Sequence, residues 1–167
     1  MTLAGRPEGK KRRWKMEIFH WVLHGVLVLV LVSFMRDGLT GLWVRRVYQL
    51  FYPLVLKTRG WVVLIDLDGL KTINDRDGHL AGDVALRTVA RIVRRFGGLL
   101  SFRFGGDEFA LLLPFVSGAE AEAVAEKICA ASKKYTISIG IGRWEQEADA
   151  ALYQAKRAGG NRVKKPG

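Results

Sequence analysis

Asp107 and Glu108 are adjacent carboxylates in the stretch Phe102 to Leu113, FRFGGDEFALLL, where Gly105 and Gly106 open the turn between apolar runs. Leu99 to Phe104 and Phe109 to Leu113 read as paired strands, so the acidic residues fall at the tip of a β-hairpin. Side by side, the two carboxylates repel each other unless a cation stands between them. Oxygen-only ligands suit magnesium. A second acidic segment lies upstream, where the apolar run Trp61 to Ile65 leads straight into Asp66 and Asp68. A buried strand there delivers Asp66 at its C-terminal end, where it can meet the hairpin tip. Asp68 either shares in that chemistry or organises the turn.

The elements that must position these residues follow from periodicity. Leu39 to Leu56 reads as helical, ending near Pro53 with a loop to Gly60, and Trp61 to Leu67 is the first core strand. A glycine-containing loop at Asp77 to Gly82 precedes a helix from Asp83 to Phe96, with Leu86, Val89, Ala90, Val93 and Phe96 on one face and arginines on the other. Gly97 and Gly98 end it, and the hairpin follows. Ser117 and Glu120 have capping-box spacing and open a helix to about Ser132; Tyr135 to Ile141 is a strand and Ala148 to Ala158 a last helix. The order β-α-β-β-α-β predicts an α+β, ferredoxin-like domain. A strand-end aspartate beside an acidic hairpin is also the layout by which polymerase-like palms hold two magnesium ions for phosphoryl transfer.

The chain resembles the GGDEF diguanylate cyclases, whose name spells Gly105, Gly106, Asp107, Glu108 and Phe109. DGLTGLWVRR from Asp37 to Arg46 resembles that domain's opening, and Asp66 to Asp83 its D-x-D-x-[FL]-K-x-x-N-D-x-x-G-H-x-x-G-D segment. TISIGIG from Thr136 to Gly142 and ADAALYQAKRAGGNRV from Ala148 to Val163 resemble its closing strand and helix. The resemblance spans about 130 residues, from Asp37 to the end. It implies a palm-type nucleotidyl cyclase that condenses two GTP into cyclic di-GMP and two pyrophosphates across a C2 homodimer, using Mg2+, two per active site, with Mn2+ as a possible substitute.

By the same resemblance, metal binding falls to Asp66, the backbone carbonyl of Leu67, Asp107 and Glu108, with Asp107 also helping to activate the attacking 3′-hydroxyl. Asn74 and Asp83 become the guanine readers, since a carboxylate accepts from both N1–H and the exocyclic amine. Outside that resemblance, Asn74 is a turn residue and Asp83 a helix N-cap. His79 joins the substrate site or supports its loop, and Lys71 and Lys156 neutralise phosphate unless they are merely solvated. Gly105 and Gly106 let the main chain approach the triphosphate. Three departures stand out. Gly160 replaces the arginine usual after A-K-x-x-G, leaving Arg157 or Arg162 to substitute; the R-x-x-D product-inhibition motif would fall on Phe96 and Leu99; and the connections after the hairpin and after Ile141 are short.

With 167 residues, nearly half of them hydrophobic, the chain can bury one core and is not intrinsically disordered. Its single cysteine, Cys129, cannot form an internal disulfide and reads as a buried structural thiol. The formal charge of +11 suits nucleic acid, anionic lipid or nucleoside triphosphate. No nucleic-acid motif appears, and Arg87, Arg91, Arg94 and Arg95 read as a solvated helix face. Arg6, Lys10, Lys11, Arg12, Arg13 and Lys15 crowd the segment 1–17, just before the uncharged run Ile18 to Met35.

Eighteen helical residues span roughly 27 Å, close to the hydrocarbon thickness. No small-x-small cleavage pattern follows, so residues 18–36 read as a transmembrane or interfacial helix and 37–167 as the catalytic domain. The basic N-terminus and the cluster Arg36, Arg45, Arg46, Lys57 and Arg59 divide the positive-inside vote. The reading adopted is inner-membrane association with a cytoplasmic domain. A competing reading is a catalytically silent module that binds GTP or a protein partner, favoured by Gly160 and opposed by the intact acidic residues.

Overall fold

The computed structural model describes residues 8–166. The described residues fall into two compact units that meet in sequence between Met35 and Arg36. The first is the helix α1, Glu8–Phe34. Its window Glu17–Phe34 has a mean hydropathy of 1.9 with none of it buried, and is long and apolar enough to cross a membrane by length and composition. Its polar side chains turn back on the helix: Ser33 Oγ donates to Leu29 O at 2.8 Å, and His24 Nδ1 lies 2.7 Å from His20 O. Such bonds lower the cost of a polar group in an apolar run. Residues 1–7 of the basic segment lie outside the described residues.

The second unit is a sheet of six strands with helices on both faces. In chain order it contains β1 (Trp43–Val44), α2 (Arg45–Lys57), β2 (Trp61–Leu67), α3 (Leu70–Asp77), α4 (His79–Gly97), β3 (Ser101–Arg103) and β4 (Glu108–Leu113). α5 (Gly118–Ala131), β5 (Ile137–Gly142), α6 (Glu145–Arg157) and β6 (Val163–Lys164) complete it. The strand order is β1-β3-β4-β2-β5-β6. Its four central strands pair antiparallel, which is the ferredoxin-like palm expected from the pattern.

Alternation along β2 divides the core. Val63, Ile65 and Leu67 pack with α4 and α5 on one face, whereas Val62 and Leu64 pack with Val47 and Tyr48 of α2 and with Leu152 of α6 on the other. The expected capping box is present: Ser117 Oγ accepts from the Glu120 amide while the Glu120 carboxylate accepts from the Ser117 amide. Cys129 is partly buried against the first core, and burial raises its thiol pKa.

Several boundaries differ from the sequence reading, among them the last helix, which begins at Glu145 and not Ala148. The opening helix begins at Arg45, not Leu39, because Asp37 Oδ1 accepts from the Thr40 amide and hydroxyl and folds the preceding residues into a turn. That helix also continues through Pro53 to Lys57; the carbonyl that Pro53 leaves without an amide belongs to Gln49, which is exposed to water. Residues expected in the loop before Asp83 form α3 and the first turn of α4, separated by Gly78 at φ +84°. Asp83 therefore sits inside α4 and is not its N-cap. The edge strands β1 and β6 are too short to carry a periodic signal, and each is held by a parallel neighbour.

Gly140 and Gly142 of β5 set how closely α6 approaches. A Cβ on Gly140 would collide with Ala148 O and the Leu152 amide, and one on Gly142 with the Ala148 amide. Backbone against backbone cannot give way as a flexible side chain can. Gly140→Ala should therefore lower unfolding free energy by about 3 kcal/mol, the upper end for overpacking, read as a reduced urea midpoint at unchanged slope.

Candidate active site

The site grows out of the register between β2 and β4. Asp66 is paired directly with Glu108, so their side chains leave the sheet on the same face. One residue further, the Leu67 amide donates to Asp107 O at 3.1 Å and fixes the hairpin tip against the end of β2. Within the tip, the amides of Phe104 and Gly105 both donate to Glu108 O. The Glu108 carboxylate folds over Gly105, reaching within 2.7 Å of where a Cβ would stand, so a side chain there would displace it.

Asp66 is only 6% exposed. Burial pushes its carboxyl up; Lys156, whose Nζ lies 2.7 Å from Oδ2, partly offsets this by hydrogen bond and charge, and Asp107 and Asp68 push it up further. Lys156 comes from the last turn of α6, so its reach depends on the close seat of that helix at Gly140. Tyr48 of α2 helps to seat it, donating to Glu145 Oε2 at 3.0 Å, while the Glu145 amide donates to Tyr52 Oη. Between α2 and α6 lies a cavity of about 290 Å³ that Arg45, Phe104, Glu108, Glu145 and Asp149 help to line.

The other expected site residues gather on α3 and α4. Asn74 is half-buried, with Oδ1 pressed onto Gly82 where any Cβ would clash, which brings it beside the turn carrying Asp83. Asp83 is half-exposed and stands 3.9 Å from Arg87. His79 and Lys71 are exposed, in the first turns of α4 and α3. Leu67 has its side chain fully in the core, leaving only main-chain atoms for the site. Asp68 is held structurally: Ser138 Oγ donates to Oδ1 and the Asn161 amide to Oδ2, tying the end of β2 to β5 and the loop into β6. Arg162 donates to Gly160 O and Arg157 lies over the Tyr153 ring, so neither is directed at the carboxylate cluster.

Among the described residues, no group of three or more His, Cys, Asp or Glu side chains converges to hold an ion by itself. The donors present are nevertheless hard oxygens, with Asp66 opposite Glu108 and Asp107 one residue away. That set fits Mg2+, which takes one or two carboxylates and completes its octahedron with water and substrate phosphate.

Sequence reasoning missed Arg103. Its Nη1 donates to both oxygens of Asp37, at 3.0 and 3.1 Å, while Nε and Nη2 donate to Gly105 O and Gly106 O. One guanidinium thus braces the hairpin tip from behind and links it to the turn that opens the domain. Both residues lie within the quoted motifs, but no spacing rule pairs positions so far apart.

The chain belongs to the GGDEF family: the family described as "Diguanylate cyclase, GGDEF domain" matches residues 34–162. Diguanylate cyclase DgcM of Escherichia coli (strain K12) is 37% identical over 153 residues, covering 77% of this chain and 37% of that protein. A Streptomyces ambofaciens protein named only as an uncharacterized 19.3 kDa protein is 31% identical, over 84% of this chain and 89% of its own length. Among solved structures, the coiled coil and GGDEF domain of DgcB from Caulobacter crescentus, in complex with c-di-GMP, superposes with a TM-score of 0.84 at 25% identity, covering 96% of this chain and all (100%) of that one. The chain spans 30% to 45% of the length of three further curated relatives, two of them named diguanylate cyclases.

Burial alone would raise the Asp37 carboxyl, but hydrogen bonds from Thr40 and Arg103 outweigh it and hold the pKa below the ordinary value. A depressed folded pKa stabilises the fold above the unfolded pKa of about 4, and that stability is lost as pH falls through the folded value. Asp37→Asn should cost roughly 1–2 kcal/mol at pH 7, and the difference from the parent should shrink steadily below about pH 4 in urea unfolding curves.

Proposed function

We propose that this chain is a diguanylate cyclase, joining two GTP molecules into cyclic di-GMP with release of two pyrophosphates. The observation that carries this reading is the β2–β4 register, which sets Asp66, Asp107 and Glu108 together at one sheet end. Those carboxylates, with the Leu67 carbonyl, would hold two Mg2+ ions, and Mn2+ would serve in their place. Metal bound there would supply charge neutralisation at the α-phosphate and a lowered pKa for the 3′-hydroxyl.

The remaining work falls to the protein. Lys156, exposed beyond Asp66, would neutralise phosphate together with Lys71. Gly105 and Gly106 keep the main chain at the tip open to the triphosphate. Asn74 and Asp83, side by side across α3 and α4, would accept and donate along the guanine edge; adenine offers no N1–H beside an amine, the donor pair that a carboxylate requires. His79 at the start of α4 would border the same pocket. Asp107 would orient the attacking hydroxyl and help to draw off its proton.

Each subunit holds one nucleotide, so ring closure needs two copies related by a two-fold axis. α1 would anchor the chain in the inner membrane with the catalytic domain on the cytoplasmic side, supported by its unburied apolar window, and would raise the local concentration of partners.

A second reading is favoured by Gly160, which stands where the family arginine would reach phosphate, with Arg157 and Arg162 turned elsewhere. In that reading the module binds GTP, or a protein partner, without turnover.

Purified protein given GTP and Mg2+ should release cyclic di-GMP and pyrophosphate, and Asp107→Ala should lower the rate about a thousandfold. GTP bound tightly with no product under dimer-forming conditions would favour the silent module. A reporter active only in the cytoplasm, fused after Gly167, should be active; a silent fusion would reverse the orientation.

A further inference from the structure

From its middle to its end α4 carries Arg87, Arg91, Arg94 and Arg95, with no Asp or Glu anywhere from Val84 to Ser101. A cation in the last turn of a helix is favourable by itself, which accounts for Arg94 and Arg95. It does not account for Arg36, which arrives from a separate segment. Arg36 Nη1 donates to Gly41 O at 3.0 Å, and Arg94 Nη1 reaches the same oxygen at 3.5 Å. Two guanidinium groups therefore converge on one carbonyl. The carboxylate nearest in sequence, Asp37, is already engaged by Arg103 and Thr40. Burial, and then the Arg94 charge, push the Arg36 guanidinium below its ordinary value. An anion placed against both would relieve that repulsion.

Apolar side chains flank the two arginines. Arg36 stacks on the Trp43 ring, 3.5 Å from its centroid, and Trp43 Nε1 donates to Leu99 O. Leu99 is 78% exposed and shares a shallow depression with Arg36, Arg94, Gly98 and Ser101. Exposed leucine and an amphipathic tryptophan among arginines have the composition of a surface that lies in the headgroup layer. Chain connectivity adds an independent argument. Arg36 follows the end of α1 by two residues, which span at most about 7 Å. If α1 sits in the bilayer, Arg36 is at the interface.

We propose that Arg36, Trp43, Arg94 and Leu99 form a docking surface for an anionic membrane, with a lipid phosphate lying against the two guanidinium groups from outside and Leu99 at the acyl boundary. Arginine suits the role because its fork takes phosphate through two hydrogen bonds. Docking would hold the domain against the bilayer through contacts separate from the α1 anchor. The proposal rests on the membrane reading of α1.

The test uses the full chain in a Cys129→Ser background with Leu99→Cys carrying an environment-sensitive dye. It is reconstituted in vesicles of phosphatidylcholine, alone or mixed with phosphatidylglycerol. The dye emission should shift to the blue only in the mixed vesicles. Arg36→Gln and Arg94→Gln should each lower the docked-to-undocked ratio about fivefold, and the pair should abolish the shift while flotation with vesicles is unchanged. Arg94→Gln alone, on an exposed helix turn, must show the intermediate effect even if the double variant folds poorly.

A chain that floats, but whose dye shift is equal in both vesicles or indifferent to the arginines, overturns the docking surface and leaves the anchor standing. A chain that does not float overturns both. A blue shift produced by inorganic phosphate alone in detergent, with no dependence on vesicle charge, would assign the site to a soluble anion and also overturn the proposal.

Discussion

The antiparallel register of β2 on β4 is the constraint on which the rest of this domain depends. It sets Asp66 opposite Glu108, and the amide of Leu67 then closes on Asp107 O. A slip of one residue would send Asp66 to the face packed by α4 and α5 and bury a carboxylate in hydrocarbon. The register is protected from both sides of the sheet, because Val63 and Ile65 belong to one core and Val62 and Leu64 to the other. A continuous apolar strand is thus both the source of stability and the ruler that places the acidic cluster.

Positioning the cluster works against stability locally. A nearly buried Asp66 beside other carboxylates has its pKa driven up, chiefly by burial, and Lys156 relieves only part of this. Lys156 can do so because α6 lies against the glycines of β5. The tip on the other side is braced by Arg103, which spends its donors on Asp37 and on two tip carbonyls. Like charges are therefore held close by a rigid frame, an arrangement that fits cation binding better than structural economy. The same frame joins the tip to the turn at Asp37, just beyond Arg36, where the chain leaves the apolar helix.

Much of the fold was legible because its signals are local. The hairpin at Gly105 and Gly106, the capping box at Ser117 and the buried run at Trp61 each carry a short-range rule, and each is found where that rule puts it. The errors have physical causes as well. Asp83 looked like a cap because α3 and the start of α4 are polar and exposed, without the apolar stripe that marks a helix. Pro53 reads as a stop because a proline usually is one, yet here it lies inside the helix and the residue whose carbonyl it leaves unbonded, Gln49, is exposed. At the site, the residue types were readable but their pairings were not. Asp37 with Arg103, Asp68 with Ser138 and Asn161, and Lys156 with Asp66 join distant parts of the chain, and no periodicity links them.

Under the proposed function, the strand end and the hairpin tip together would bind a divalent cation with a guanine nucleotide. Electron paramagnetic resonance of Mn2+ added to the protein measures this without requiring turnover. A bound-ion signal should develop when GTP is present and be lost in Asp66→Asn, while the variant keeps its fold. Mn2+ binding that is the same in the parent and in Asp66→Asn, or that ignores the nucleotide, would contradict it.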